Sequence, residues 1–220
     1  MTLLVIVPYR NRAEHLNQFL PALIKYFSSV KLQVVVAVIE QTDNLLFNRG
    51  ALINAGFVLL SQVNPTHLCF HDVDCIPIKS DYTYQPQISL LCPRHVAGNW
   101  FSPVITCPTQ IFRRANGFSN GYWGWGSEDA DFFLRTGKKF SIQQDTSYIQ
   151  LEHEHCSLLG GEVKPECIKN HERLMTFMER TNTEGLSTCR FKLTSQHQLD
   201  TKCELVKVVK LGVDLVNLVS

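Results

Sequence analysis

The order of apolar segments in residues 3–71 constrains the fold most strongly. Continuous apolar runs at Leu3–Val7, Val34–Ile39 and Leu68–His71 are typical of buried parallel strands. Between them, Ala13–Phe27 has apolar residues at helical spacing, and Gly50–Leu60 is a second candidate helix. A strand–helix–strand–helix–strand order favours right-handed crossovers and a parallel sheet, so the predicted fold class is α/β.

Prolines limit where helices can form, and they are most frequent between Asp74 and Pro108. Pro21 predicts a kink or a break in the first helix, and frequent prolines beyond Asp74 make regular helices unexpected before Glu128. Later candidate elements are a strand in Phe140–Leu151, a helix in Lys169–Glu179, and edge strands at Cys189–Leu193 and Leu205–Leu211. No repeat or linker divides the 220 residues, so one domain is expected.

Charge and targeting signals exclude several classes of protein. The 21 basic and 20 acidic residues give a net charge of +1, which offers no electrostatic footprint for nucleic acid or an anionic membrane. The N-terminal apolar run is too short to span a bilayer and lacks signal-peptide features, which predicts a cytoplasmic location with no membrane segment. Eight dispersed cysteines without a CxxC motif favour reduced thiols over a disulfide framework.

Two aspartates follow the third predicted strand in the sequence FHDVDCIP. Asp72 and Asp74 are separated by one residue, so in an extended segment both carboxylates point to the same side. Such a pair can bind a divalent cation that holds a diphosphate, whereas the alternative is a solvated turn.

A second candidate metal motif lies in LEHEHC. His153 and His155 also have a spacing of two and, with Asp74, would supply mixed nitrogen and oxygen ligands that suit Mn²⁺ better than Mg²⁺. The alternative is a zinc site formed by one of these histidines. Its other ligands would be Cys156, Cys167 and His171.

Basic side chains follow the first strand and begin the second helix. Arg10 and Arg12 in VPYRNR, and Arg49 in LLFNRG, are expected at the carboxyl ends of the parallel strands. Guanidinium groups there can hold phosphate or the edge of a base, although surface arginines are the alternative. Phe47 would stack on a base or belong to the core.

The segment GFSNGYWGWGSEDADFF resembles a saccharide site. Trp123 and Trp125 can stack on the apolar face of a sugar, and the glycines allow the loop to move. Glu128 and Asp129 then begin a helix, and they are the candidate catalytic carboxylates because either can accept a hydroxyl proton. Acidic residues also cap helices routinely, which is the structural alternative.

Four motifs, VPYRNR, FNRGALINAGF, HDVDCIP and GFSNGYWGWGSEDADFF, resemble the β-1,4-galactosyltransferases (glycosyltransferase family 7) in order and spacing. The HxH motif and the segment TEGLSTCRFKL are most similar to the xylosylprotein galactosyltransferase branch. The resemblance implies one catalytic domain of the GT-A fold, Rossmann-like with a mixed, mostly parallel sheet, over residues 1–220. Residues 1–76 would bind nucleotide, and residues 77–220 would supply acceptor and metal contacts.

The resemblance also implies roles for individual residues. It implies UDP-galactose or a related UDP-hexose as the donor, Mn²⁺ as the cofactor, and inversion at the anomeric carbon. Asp129 would be the general base, and the acceptor would be a saccharide such as a xyloside or an N-acetylglucosaminide. The metal ligands would be Asp74, His153 and His155, and the donor would be held by Arg10, Arg12, Phe47, Arg49, Asp72, Val73 and Trp125.

The chain departs from the family pattern in three respects. Trp100–Pro103 replaces an expected Gly-Gly pair near the sugar, and Ala130 replaces an acidic residue. The chain also begins at the catalytic domain, where family members have an anchor that places them in the Golgi lumen. These changes leave a second hypothesis open, a carbohydrate- or UDP-sugar-binding protein with impaired catalysis. A third hypothesis is a zinc-stabilised interaction module.

Overall fold

The computed structural model describes residues 2–96, 99–152, 164–176 and 183–216. The strands are β1 (Leu3–Tyr9), β2 (Val34–Gln41), β3 (His67–His71), β4 (Cys75–Lys79), β5 (Ile88–Leu90), β6 (Arg94–Val96), β7 (Asn99–Phe101), β8 (Val104–Pro108), β9 (Phe140–Ile142), β10 (Ser147–Gln150), β11 (Phe191–Leu199) and β12 (Val206–Leu215). The helices are α1 (Ala13–Val30), α2 (Arg49–Leu59), α3 (Thr109–Arg114), α4 (Glu128–Arg135) and α5 (Pro165–Met175).

A mixed sheet with the strand order β11-β12-β2-β1-β3-β8-β5-β9 forms the centre of the protein. Its strands β12, β2, β1 and β3 are mutually parallel, while β8 pairs antiparallel with both β3 and β5. Strand β11 pairs antiparallel with β12, and β9 runs parallel to β5. Two short ribbons, β4 with β10 and β6 with β7, lie outside this sheet. The predicted α/β class, with a mostly parallel central sheet, is confirmed.

Strand β1 is buried along its whole length because side chains pack on both of its faces. Leu4 and Ile6 belong to the core cluster that contains Phe57 of α2, whereas Val5 belongs to the opposite cluster with Phe27 of α1. Alternate residues of a strand point to opposite faces, so a continuous apolar run satisfies both layers. Because core side chains pack on both faces of the sheet, the ends of its strands, where the candidate site lies, are held in place.

Several expectations about single elements need correction. Of the two alternatives expected at Pro21, a kink or a break, the break does not occur, because α1 is continuous there. Pro21 is exposed to solvent, where water can hydrogen-bond the carbonyl group that the proline leaves without its helical partner. Helix α3 forms before Glu128, directly after Pro108, because a proline that precedes a helix removes no bond from its interior.

The later strands also differ from the expectation. Phe140–Leu151 contains two strands, β9 and β10, that join different sheets. Strand β12 is not an edge strand, since it lies between β11 and β2. It pairs in parallel with β2 from Val206 to Val213, so the C-terminal chain completes the sheet begun by the first residues. The pairing of β12 with β2 could not be predicted from local sequence patterns, because the two strands are far apart along the chain.

The seven cysteines within the described ranges are free thiols, and Cys156 lies outside those ranges. Five of them are buried, namely Cys69, Cys75, Cys107, Cys167 and Cys189. The Sγ atoms of Cys75 and Cys92 are 3.7 Å apart. In the part of the chain that the structure describes, no helix has the length and apolarity needed to cross a bilayer.

Candidate active site

The candidate site lies at the carboxyl ends of the parallel strands. Arg10 follows β1, Asp72 follows β3, and Arg49 is the first residue of α2. The side chain of Asn48 caps α2, because its Oδ1 accepts a hydrogen bond of 2.9 Å from the backbone N–H of Ala51. A crevice at this edge is where open α/β sheets bind their ligands.

Arg49 joins the DVD motif to the acidic start of α4. Its Nε donates to Asp72 Oδ1 at 2.8 Å, and its Nη1 donates to Asp129 Oδ1 at 2.7 Å. The same Nη1 lies 3.8 Å from Glu128 Oε1. Nη2 is buried and has no hydrogen-bond acceptor among the described residues. One guanidinium group therefore brings together two motifs that are more than fifty residues apart.

Burial dominates the electrostatics of these carboxylates. It raises the pKa of Glu128 to about 7, with the charge of Asp129 adding to the shift and Arg49 opposing it. It also raises the pKa of Asp72 to about 6 and raises that of Asp129, with Arg49 opposing both shifts. Burial alone would lower the pKa of Arg49, but the three carboxylates outweigh it and raise that pKa. Three acidic groups therefore share one buried cation.

The position of Asp129 follows from the start of α4. Ser127 precedes the helix with a φ of +74°, and Glu128, Asp129 and Asp131 all lie in the first turn. Negative charge is stabilised there by the helix dipole. Asp131 is buried, accepts a hydrogen bond from Tyr122 Oη at 3.0 Å and pairs with Arg135, so it holds the helix rather than facing the crevice.

Asp74 is buried and is connected to the end of β10. Its Oδ2 lies 3.7 Å from Nη1 of Arg12, and its backbone carbonyl accepts a hydrogen bond of 2.7 Å from the N–H of Leu151. His153 and His155 lie outside the described residues, but His153 is two residues beyond Leu151 in the sequence. The structure thus brings the chain that leads into the HxH motif to the DVD motif.

Two other predicted donor contacts lie beside these motifs. Arg10 Cζ lies 5.6 Å from the ring centre of Phe47, a cation–π contact, and Arg10 also donates to the carbonyl of Leu45. Phe47 is partly buried against the core, which agrees with the core alternative, and its contact with a base stays a prediction. Val73 is buried, which leaves its backbone as the group that can face a ligand.

The departures from the family pattern have structural roles. Ser102 is buried, and its Oγ accepts a hydrogen bond from Cys92 N and donates to Val104 O. The carbonyl of Pro103 accepts a hydrogen bond of 2.9 Å from Asp72 N, which holds this segment against the DVD motif. The side chains of Trp100 and Phe101 lie outside the description, and Ala130 is partly exposed on α4.

We define the Trp loop as residues 121–126. Trp125 is 37% exposed, whereas Trp123 is partly buried against the core. The backbone N–H of Gly124 donates to the carbonyl of Phe47 at 2.7 Å, so the loop is tied to the residue before the α2 cap. The backbone next to Trp125 is thereby tied to the segment that leads into α2.

Sequence reasoning missed Asn170 of α5. Its Nδ2 donates to the carbonyls of Trp123 and Trp125. The helical pattern of Lys169–Glu179 gave no signal for this contact, since an asparagine on a helix face identifies no partner. Of the residues of the alternative zinc site, Cys167 is buried and His171 is exposed, whereas His153, His155 and Cys156 lie outside the described ranges, so this alternative stays untested. Among the described residues, no group of three His, Cys, Asp or Glu side chains could hold a metal ion.

A mostly parallel sheet with acidic and basic side chains at its carboxyl edge is typical of a ligand-binding α/β protein, and the structural match to a galactosyltransferase given below identifies the GT-A fold class. Family models narrow this class. The N-terminal region of glycosyl transferase group 7 matches residues 1–87, and the N-terminal domain of galactosyltransferase matches residues 91–153. The chain belongs to the β-1,4-galactosyltransferase family, as its four motifs predicted.

Individual relatives agree with this assignment. The xylosylprotein 4-beta-galactosyltransferase of Caenorhabditis elegans is 34% identical over 96% of this chain and 78% of the relative. Beta-1,4-galactosyltransferase 7 of Drosophila melanogaster is 30% identical, over 89% of this chain and 64% of the relative. The crystal structure of the catalytic domain of the Drosophila enzyme with xylobiose matches with a TM-score of 0.80 and 27% identity, covering 98% of this chain and 94% of that one.

Proposed function

We propose that this protein is a Mn²⁺-dependent, inverting galactosyltransferase that moves galactose from UDP-galactose to a saccharide acceptor. The observation that carries the proposal is the double contact of Arg49 with Asp72 and Asp129. It supports the proposal because one guanidinium group binds both Asp72, which we assign to the donor, and Asp129, which we assign as the base. A mutant of the Drosophila relative crystallised with manganese, UDP-Gal and xylobiose, at 26% identity and a TM-score of 0.80, which supports these ligands and favours a xyloside acceptor.

Asp129 is the general base of the proposed reaction. The acceptor hydroxyl oxygen attacks the anomeric carbon from the face opposite UDP and gives its proton to the Asp129 carboxylate. The bond between the anomeric carbon and the diphosphate oxygen breaks, and UDP takes the electron pair. Inversion requires one displacement without a covalent intermediate, so a single base suffices. Burial raises the pKa of Asp129 and Arg49 opposes this shift, so the guanidinium group favours the charged carboxylate that a base requires.

The remaining site residues bind and orient the donor. Arg10 and Arg12 are proposed to hold the diphosphate, Phe47 the base, and Asp72 with the backbone of Val73 the ribose side. The further donor contact is Trp125, whose exposed ring covers the sugar. Arg49 contributes only Nη2 to the donor, since its Nε and Nη1 already bind carboxylates.

The residues around Asp74 fit a manganese ion. Its carboxylate is buried, and the backbone of Leu151, two residues before His153 in the sequence, donates to the Asp74 carbonyl, which supports the proposal that His153 and His155 add imidazole ligands. When bound, Mn²⁺ neutralises charge that develops on the leaving diphosphate. A His155→Ala variant is expected to need more Mn²⁺ for half-maximal activity, and an unchanged Mn²⁺ titration would remove His155 from the site.

UDP release tests the proposal directly. The wild-type protein should release UDP from UDP-galactose in the presence of Mn²⁺ and a xyloside, with an N-acetylglucosaminide as the competing acceptor. Asp129→Asn should lower kcat by about 10²–10⁴-fold, the typical contribution of a general base. Calorimetry should show that the variant still binds UDP with Mn²⁺. Asp145→Asn is the matched control and should change neither quantity, because Asp145 is an exposed aspartate in the turn before β10.

Two results would contradict this assignment. Near wild-type turnover of Asp129→Asn would show that another group is the base. Donor binding by the wild-type protein without UDP release, for every acceptor in the panel, would favour the impaired binding protein instead.

A further inference from the structure

The Trp loop has little regular secondary structure to hold it in place. Gly124 and Gly126 have φ values of +81° and +97°, a backbone conformation that side chains other than glycine rarely adopt. Within the described residues, the backbone bond from Gly124 to Phe47 ties the loop to the donor side. The carbonyl groups of Trp123 and Trp125 point the other way along the loop, towards α5.

Asn170 binds both of these carbonyl groups with a single nitrogen atom. Its Nδ2 donates to Trp123 O at 3.1 Å and to Trp125 O at 3.0 Å, and the residue is 4% exposed. An amide nitrogen carries two hydrogens, so both are used. Since the carbonyls of Trp123 and Trp125 both bind this one nitrogen, the backbone that joins them through Gly124 is held in a curved conformation.

The same face of α5 packs along the rest of the loop. Glu166 lies one turn before Asn170, and a Cβ atom built on Gly124 would be 2.4 Å from its Cγ. On the next turn, the Cζ atom of Arg173 lies 5.6 Å from the ring centre of Tyr122, a cation–π contact. Positions i, i+4 and i+7 of a helix share one face, so the contacts form a continuous strip.

We propose that Asn170 is a positioning residue for the donor site: it fixes the Trp loop and thereby holds the ring of Trp125 over the sugar of the donor. The proposal rests on the function proposed above, in which Trp125 contacts the donor. Asn170 itself is buried behind the loop and touches no reacting atom. Its removal should therefore weaken binding of the donor and leave the chemical step with Asp129 intact.

Asn170→Asp is the sharpest test because it keeps the shape of the side chain and removes both donor hydrogens. The carboxylate would also face two carbonyl oxygens, which repel it. We expect KM for UDP-galactose to rise about tenfold, since two hydrogen bonds are lost, with kcat within about threefold of wild type. Asn170→Ala, which introduces no charge, should behave in the same way and serves if the aspartate variant does not fold. Lys169→Ala, at the exposed neighbouring position, is the matched control and should leave KM unchanged.

A second measurement does not depend on turnover. Acrylamide quenching of tryptophan fluorescence in the protein without substrate should increase in Asn170→Asp and Asn170→Ala, because a loosened loop exposes Trp123 and Trp125 more fully. Unchanged KM and unchanged quenching in a folded, active variant would overturn the proposal. A wild-type protein that transfers no sugar while the variants still show increased quenching would overturn the proposed function and retain the role of Asn170 in holding the loop.

Discussion

Replacing Arg49 by methionine tests the shared buried cation of the candidate site. Methionine keeps much of the apolar volume of the arginine stem but leaves Asp72, Asp129 and Glu128 without their counter-charge. Removing one member of a buried ion pair typically destabilises a protein by about 3–5 kcal/mol. The Asp72 side chain is 34% exposed, so its share is discounted for solvent screening, whereas Asp129 is 17% exposed and counts more fully.

The expected loss at pH 8 is about 2–4 kcal/mol, or a fall of roughly 5–15 °C in Tm for a chain of this size. The loss should shrink on acidification. Carboxyl groups whose folded pKa lies above the unfolded value destabilise the fold as pH rises through the folded pKa. In the wild type these values are about 6 for Asp72 and about 7 for Glu128, and both rise further without Arg49. At pH 5 the protonated groups no longer need the cation.

Thermal denaturation followed by circular dichroism at pH 5 and pH 8 measures both quantities. Arg114→Met, which removes an exposed arginine at the end of α3, is the control and should lower Tm by less than about 2 °C at either pH. Adding Glu128→Gln to Arg49→Met should restore part of the loss at pH 8. An Arg49→Met loss that is the same at both pH values would refute the reasoning, because packing rather than charge would then explain it.

Three further predictions concern the site and its support. Glu128→Gln in the wild-type background should raise the free energy of unfolding by about 1–2 kcal/mol at pH 8 and by little at pH 5. The reason is that the Glu128 pKa of about 7 makes the ionised carboxyl unfavourable in the folded protein. Equal effects at both pH values in urea titrations would contradict this prediction. The kcat/KM for transfer should rise with pH on the acidic side, with an inflection above the usual pKa range of carboxyl groups, since burial raises the pKa of the base Asp129. A kcat/KM that is constant from pH 5 to 8 in saturating Mn²⁺ would argue against Asp129 as the base. Gly56→Ala should lower the free energy of unfolding by about 1–3 kcal/mol, because its Cβ atom would lie 2.8 Å from Ile39 Cγ1 where α2 packs on the sheet. The Ala55→Gly variant on the same helix separates the effect of this clash from that of helix propensity.

The central part of the fold was predictable because its signals are local. The run Leu3–Val7 can be buried on both faces only in a sheet covered by helices on both sides, and the structure confirms this arrangement. Arg49 was expected at the start of the second helix and is its first residue. The four motifs likewise indicated the family, because each contains residue types that one chemistry requires.

The tertiary structure decided which of these motifs act together. The sequence assigned Arg49 to phosphate, but folding places two of its nitrogens on Asp72 and Asp129, a pairing between residues far apart along the chain. It also decided that β12 returns to pair with β2, and that Asn170 reaches two carbonyls of the Trp loop. Residue types and short-range periodicity are written in the sequence, whereas the partner of a buried charge or amide depends on packing between distant segments, which only the folded chain specifies.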